Sequence, residues 1–276
     1  MSDDALLRPP LLPKPPGWWS ARVAAHRDLF LTIALPVGTA IAVLVLWQVF
    51  VSINNVSPTI LPPPSDVVAQ IGLHFAFLMK HAMPTTIETL IAFAISIPLG
   101  VALGALMTCS LTINRAFYPN IVFFQLIPKI ALAPMFIVWL GIGLPSRVVF
   151  SVFISFFPIL IATATGLQEI SKDMLRLCRS LGASEWQILV HVRFPTALPH
   201  IFSGMKVAVT LAIIGIVVGE FIASQAGLGY LILFAASRQQ ADLGLACITV
   251  LCLAGLLLYG AVALGERAMM KFFGER

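Results

Sequence analysis

The sequence predicts an all-α integral membrane protein with six transmembrane helices. Three observations carry that expectation. Hydrophobic residues make up 59% of the chain and charged residues 11%, and the mean hydropathy is +0.97, a balance typical of chains that bury themselves in lipid. The chain contains six apolar runs, each near the roughly 20 helical residues needed to cross a hydrocarbon core of about 30 Å. The basic residues are also confined largely to alternate connections between those runs.

Taken in order, residues 1–28 carry Pro9, Pro10, Pro13, Pro15 and Pro16 and read as an irregular tail. Trp18 and Trp19, followed by Arg22 and Arg27, suit an interfacial anchor. Because this polar stretch precedes the first apolar run, no cleavable signal peptide is expected, and span one acts as its own insertion signal. The expected organisation is a tail over 1–28 and a membrane domain over 29–276, with its core at about 83–264. Span one is Leu29 to Val51, which holds no charge. Pro58, Pro62, Pro63 and Pro64 argue against a helix over 57–65, and Asp66 to Lys80 suits a short amphipathic helix on the outer surface. The remaining spans are expected at Met83 to Thr108, Pro119 to Gly141, Val148 to Leu167, His200 to Ile222 and Leu243 to Leu264.

An even number of spans puts both termini on one side. Arg8, Lys14, Arg22, Arg27, Arg115, Lys172, Arg176, Arg179, Arg193, Arg267, Lys271 and Arg276 fall there, against Lys80, Arg147 and Arg238 on the other. The positive-inside rule makes the richer side cytoplasmic. The net charge of +5 therefore reflects topology and does not call for a nucleic-acid partner. Cys109, Cys178, Cys247 and Cys252 show no metal or redox spacing and read as small buried hydrophobes.

One polar stretch, Gln168 to Pro199, interrupts the second half. Ser171 is a candidate N-cap, and Met174, Leu177, Cys178 and Leu181 form one apolar helical face. Gly182 should stop that helix. Ser184 with Gln187 has capping-box spacing for a second helix, which Pro195 is expected to end. Trp186, Ile188, Leu189, Val190 and Val192 are apolar on more than one side, so this helix needs contacts beyond one membrane face.

The elbow resembles the cytoplasmic EAA loop of permease subunits of bacterial binding-protein-dependent ABC importers. In that pattern Glu-Ala-Ala is followed by three residues, Gly, nine residues, Ile, one residue and Leu-Pro. Here Gly182, Val192 and Phe194-Pro195 keep the spacing, while Arg176, Leu177 and Cys178 stand where the family has its triplet. The segments Ile127 to Gly143, Phe156 to Leu167 and Gly219 to Ile232 are similar to the nitrate, sulfonate, taurine and bicarbonate branch, which also includes thiamine-pyrimidine and riboflavin-type permeases. The resemblance implies a homodimer in a bacterial inner membrane with two cytoplasmic ATPase subunits and an extracytoplasmic substrate-binding protein. It also implies that Gly182, Ala183, Ser184, Glu185 and Trp186 meet the ATPase, the alternative for Trp186 being an anchor at the lipid interface.

Other chemistry finds little footing. No GxxxxGK[ST] occurs, so ATP and Mg are expected to be used by the partner ATPase, and no cofactor is expected in this chain. No HExxH occurs, and His26, His74, His81, His191 and His200 lack ligand or triad spacing, which counts against a membrane enzyme. Charges inside spans need a reason to be there. Lys206 lies close enough to Pro199 to snorkel towards the cytoplasm. Glu88 and Glu220 sit near outer span ends, where they either face a vestibule or terminate a helix. Lys129, between Pro128 and Pro134, which both loosen backbone hydrogen bonding, is a candidate for the translocation path of an anionic substrate, the alternatives being an ion pair with a carboxylate such as Glu88 or a snorkelled position if the span starts later. Gly227, Gly229 and Tyr230 mark a bend that is either an outer gate and binding-protein contact or a plain turn.

Overall fold

Proline and glycine decide where the helices of this chain start, bend and stop. The computed structural model describes residues 18–109 and 111–274, with side chains over 34–108 and 112–273, and the regular elements there are all helical. The proline-rich tail and the side chains of the Trp-Arg anchor lie outside that range. The chain divides into two compact units, Met1–Val56 and Ser57–Arg276. Among its described residues the first holds one helix, α1 (Trp18–Ile53), which runs through Pro36.

In the second unit α2 (Pro64–Leu73) opens on a proline, whose fixed φ and missing N–H suit a first turn. It stops at Leu73 and does not reach Lys80 as expected, because His74 leaves the helical region (φ −112°, ψ 21°). Lys80 belongs instead to α3 (Phe75–Cys109). The third predicted span is not straight. α4 (Leu111–Leu126) ends before Pro128, a 3₁₀ turn over Lys129–Leu132 follows, and α5 (Ala133–Leu140) completes the pair, with a bend of 82° between the two arms. Pro128 has no N–H to donate and disfavours the α conformation at Ile127, so a break falls there. Counting that bent pair as one span gives six, and five without it.

After α6 (Leu144–Gln168) come the short helices α7 (Lys172–Ser180) and α8 (Glu185–Ile188), then α9 (Phe194–Ala223), α10 (Leu228–Ser237) and α11 (Ala241–Gly274). Pro195 does not end the helix that α8 begins. A π-helical turn over Leu189–Arg193 bridges α8 to α9, and Pro195 falls in the opening turn of α9, where a missing donor costs little.

α6 and α9 form the centre. At Gly204 a Cβ would stand 2.6 Å from Ala162 Cβ and 2.8 Å from Pro158 O, and at Gly215 it would stand 2.7 Å from Ser151 Cα. Small residues thus let the two backbones close together, the usual basis of helix association in lipid. Ser151 Oγ donates to Ala212 O across this seam (2.8 Å), and the Ser96 and Ser155 hydroxyls pair at 2.7 Å between α3 and α6. Ile159, Ala208, Val209 and Ala212 pack with Phe93 and Val262 at the core. This packing sorts the second unit into two ends. One gathers the starts of α3 and α6 with the end of α9, and the other gathers the end of α6, the α7–α8 elbow and the start of α9.

Candidate functional site

The elbow is built by local rules. Ser171 Oγ accepts from Met174 N–H to cap α7. At its far end Gly182 adopts φ +81°, Gly182 N–H donates to Arg179 O (3.0 Å) and Ala183 N–H to Cys178 O (3.1 Å). That pair of bonds is a Schellman stop. Ser184 Oγ then accepts from Gln187 N–H (3.2 Å) while Ser184 N–H donates to Gln187 Oε1 (2.8 Å), a complete capping box. Arg179 Nε reaches Glu185 Oε1 at 2.7 Å across the bend, an exposed pair that orients more than it stabilises.

The apolar face of the elbow looks outward. Leu181 is 78% exposed and Trp186 71%, and Met174 and Leu177 are also exposed. Ile188 by contrast is 1% exposed, and Leu189 and Phe194 pack on Leu167, Ala197 and Ile201. His200 pairs with Glu169 beside them. The elbow therefore offers apolar surface on one side and is tied by its other side to the ends of α6 and α9.

The broken span places Lys129 half-buried, with Nζ 4.9 Å from the Phe157 ring centre, a cation–π placement. Lys129 does not pair with Glu88. Glu88 is held by Arg147 in a two-pronged bond, Nη2–Oε1 2.5 Å and Nε–Oε2 2.7 Å, in a buried setting. Arg147→Lys is expected to lower stability by about 1–2 kcal/mol, because one ammonium cannot reproduce the two-pronged fork. An unchanged melting midpoint of the detergent-solubilised protein would show the fork to be dispensable.

At the same end Glu220, 1% exposed, accepts from Thr85 Oγ1 and from Gly229 N–H, both at 2.7 Å. Thr85 Oγ1 in turn accepts from Leu228 N–H (2.8 Å), and Gly227 N–H donates to His81 Nδ1 (3.2 Å). Tyr230 stacks on His81 with ring centres 6.2 Å apart. Gly227, Gly229 and Tyr230 thus form a turn locked onto α3 and α9. Of the path candidates, Glu88 and Glu220 are buried and engaged, since a carboxylate at membrane depth needs donors, while Lys129 stays partly open. Lys206 Nζ pairs with Glu266 at 2.5 Å.

The sequence profile of one family, binding-protein-dependent transport system inner membrane component, matches residues 96–271. The chain belongs to that family. This permease is 34% identical over 219 residues to a probable ABC transporter permease protein of Haemophilus influenzae, covering 79% of this chain and 89% of that one. It is 34% identical to the riboflavin transport system permease protein RibX of Chloroflexus aurantiacus, over 87% and 90% of the two chains. It is 27% identical to the taurine transport system permease protein TauC of Escherichia coli, over 93% and 96%. Among solved structures, an inward-facing form of the MetNI methionine ABC transporter matches with a TM-score of 0.62 at 20% identity, covering 70% of this chain and 96% of that chain. That likeness concerns the fold.

The permease also uses residues that pattern reading passed over. Thr85, His81 and Arg147 complete the locked end, Glu266 pairs with Lys206, and Glu169 meets His200. For Arg147 a signal existed: an arginine in the first turn of an apolar helix calls for a carboxylate in another span. For Thr85 there was none, because hydroxyls in membrane helices more often satisfy themselves on their own backbone, as Thr89 does on Thr85 O.

Proposed function

We propose that this permease is the translocation subunit of an ATP-driven importer. It works as a homodimer in a bacterial inner membrane, with both termini and the elbow cytoplasmic. Two ABC ATPase subunits bind ATP and Mg, and an extracytoplasmic substrate-binding protein delivers the solute. The exposed apolar face beside Trp186 carries this reading, because Ile188 on the same short helix is buried. A push on Gly182, Ala183, Ser184, Glu185 and Trp186 would reach α6 and α9 directly. Gly227, Gly229 and Tyr230 lie at the opposite end, where the binding protein would dock.

The cargo is a small solute, anionic or heterocyclic, as the names of the taurine and riboflavin relatives suggest. Lys129 gives the path a cation whose neighbour is an aromatic ring and not a carboxylate. Lys129→Ala is expected to cut uptake of an anionic cargo about tenfold, since a charge-assisted hydrogen bond contributes about 1.5–3 kcal/mol. Proteoliposomes holding the permease and ATPase, supplied with the binding protein and tested with taurine, bicarbonate, riboflavin and a pyrimidine, provide the measurement. Equal uptake of every cargo by wild type and variant would remove Lys129 from the path. Flux without the ATPase would make the protein a channel.

A further inference from the structure

Two cavities at the elbow end differ in chemistry and meet at one residue. The deeper one, about 360 Å³, is lined by eleven residues that are all Leu, Met, Ile or Phe, from Leu103 and Leu106 on α3, Ile113 and Phe117 on α4, to Phe156 and Leu160 on α6. The shallower one, about 390 Å³, is lined by Thr108, Asn114, Gln168, Lys172 and Arg193, and no carboxylate is among its lining residues. Met107 lines both. On α6 the apolar lining residues lie 8 to 15 positions before Gln168, which at 1.5 Å per residue is about 12–22 Å deeper. The order along the membrane normal is therefore hydrocarbon first, then cations and amides at the depth where phospholipid headgroups sit.

Arg193 adds an independent sign. Its Nε is buried and is one of two buried side-chain nitrogens among the described residues without a hydrogen-bond partner, the other being Trp47 Nε1. A guanidinium donor so placed is expensive to leave unmatched. The carboxylates nearby are bonded elsewhere: Glu185 holds Arg179 and acts on Arg193 only through its charge, and Glu169 holds His200.

We infer that this permease binds one anionic phospholipid at its elbow end, with an acyl chain in the cavity between α3, α4 and α6 and the phosphate against Arg193 and Lys172. A basic pocket above an apolar groove selects anionic over zwitterionic headgroups, because the surplus positive charge is matched only by a lipid with net negative charge. The lipid would fill the space between the bent α4 arm and α6, next to the elbow, so its presence would set how freely that arm moves when the elbow is pushed.

The test uses the full chain purified in mild detergent, exposed to equal amounts of phosphatidylglycerol, phosphatidylcholine and diacylglycerol, with retained lipid read by native mass spectrometry. Phosphatidylglycerol is expected to be retained in preference to the other two. Arg193→Gln should lower its retention about fivefold, the effect of one basic residue at an anionic headgroup, and Arg193→Lys should restore most of it. Leu106→Trp, which fills the apolar cavity, should lower retention while leaving Arg193 in place. Lys172→Gln offers a surface substitution in case changes at Arg193 impair folding.

Equal retention of phosphatidylglycerol and phosphatidylcholine overturns the proposal, as does a preference that survives both Arg193→Gln and Lys172→Gln. Displacement of all bound lipid by inorganic phosphate would reveal a bare phosphate site, and a lipid-free dimer would show that a second copy occupies the apolar cavity; either result also refutes it. Lipid retention is read without ATP or ATPase, so failure of the importer reading leaves this result standing, and the reverse also holds.

Discussion

Gly182→Pro is expected to leave the permease folded in the membrane and to abolish ATP hydrolysis stimulated by the loaded binding protein. The cause is conformational. Gly182 stands at φ +81°, with nothing within 4 Å of where a Cβ would be, so space is not the constraint. Proline is fixed near φ −65°, and it also removes the N–H that bonds Arg179 O. The Schellman stop is lost, α7 and α8 change their angle, and Trp186 leaves the surface proposed to meet the ATPase. The core of α6 and α9 is untouched, so membrane levels should stay at wild type. Gly182→Ala should fall between, at a cost of about 1–2 kcal/mol for the left-handed conformation, and Gly182→Asn should come close to wild type because asparagine tolerates it. Stimulated ATPase activity in proteoliposomes ranks the four proteins. A proline variant with full stimulation would show that the elbow does not transmit the stroke.

The elbow was readable in the sequence because its determinants are local. Ser171, Gly182, Ser184 and Gln187 each act within six residues, and each does what its chemistry and spacing call for. The spans were readable because length and hydropathy decide them. Lys129 was readable as exceptional, although its partner was not: the carboxylate considered for it, Glu88, belongs to Arg147. Which cation meets which carboxylate depends on how α3 packs on α6, and no spacing rule reports that. The angle of the broken third span escaped for a related reason. Pro128 was visible as a helix breaker, but hydropathy averaged across it treats two arms at 82° as one continuous run. Pro195 erred in the other direction, since a π turn moved the proline into a helix start, where it is welcome.

Gly227→Ala should be the most destabilising single-carbon change in the second unit. The added Cβ would stand 2.1 Å from Glu220 Oε1 and 2.3 Å from its Cδ, at a residue with φ +104°. The carboxylate must leave, and both Gly229 N–H and Thr85 Oγ1 lose their buried acceptor. With about 1–3 kcal/mol for each unmatched group and about 1–2 for the backbone, the loss should be at least about 3 kcal/mol, at or beyond the upper end of ordinary point substitutions. Adding Glu220→Ala removes the clash, so the double variant should be more stable than Gly227→Ala, a coupling that independent sites would not show. Thermal unfolding of the four proteins of that cycle measures it, and simple additivity would mean that Glu220 does not fill the space beside Gly227. The lock matters for transport because α9 is one helix of 30 residues, joined at its start to the elbow and at its end to the Glu220 turn. A stroke delivered at the elbow can shift α9 only against that anchor. A loosened anchor should therefore uncouple the two ends, and any Gly227→Ala protein that reaches the membrane should hydrolyse ATP through its partner without moving solute.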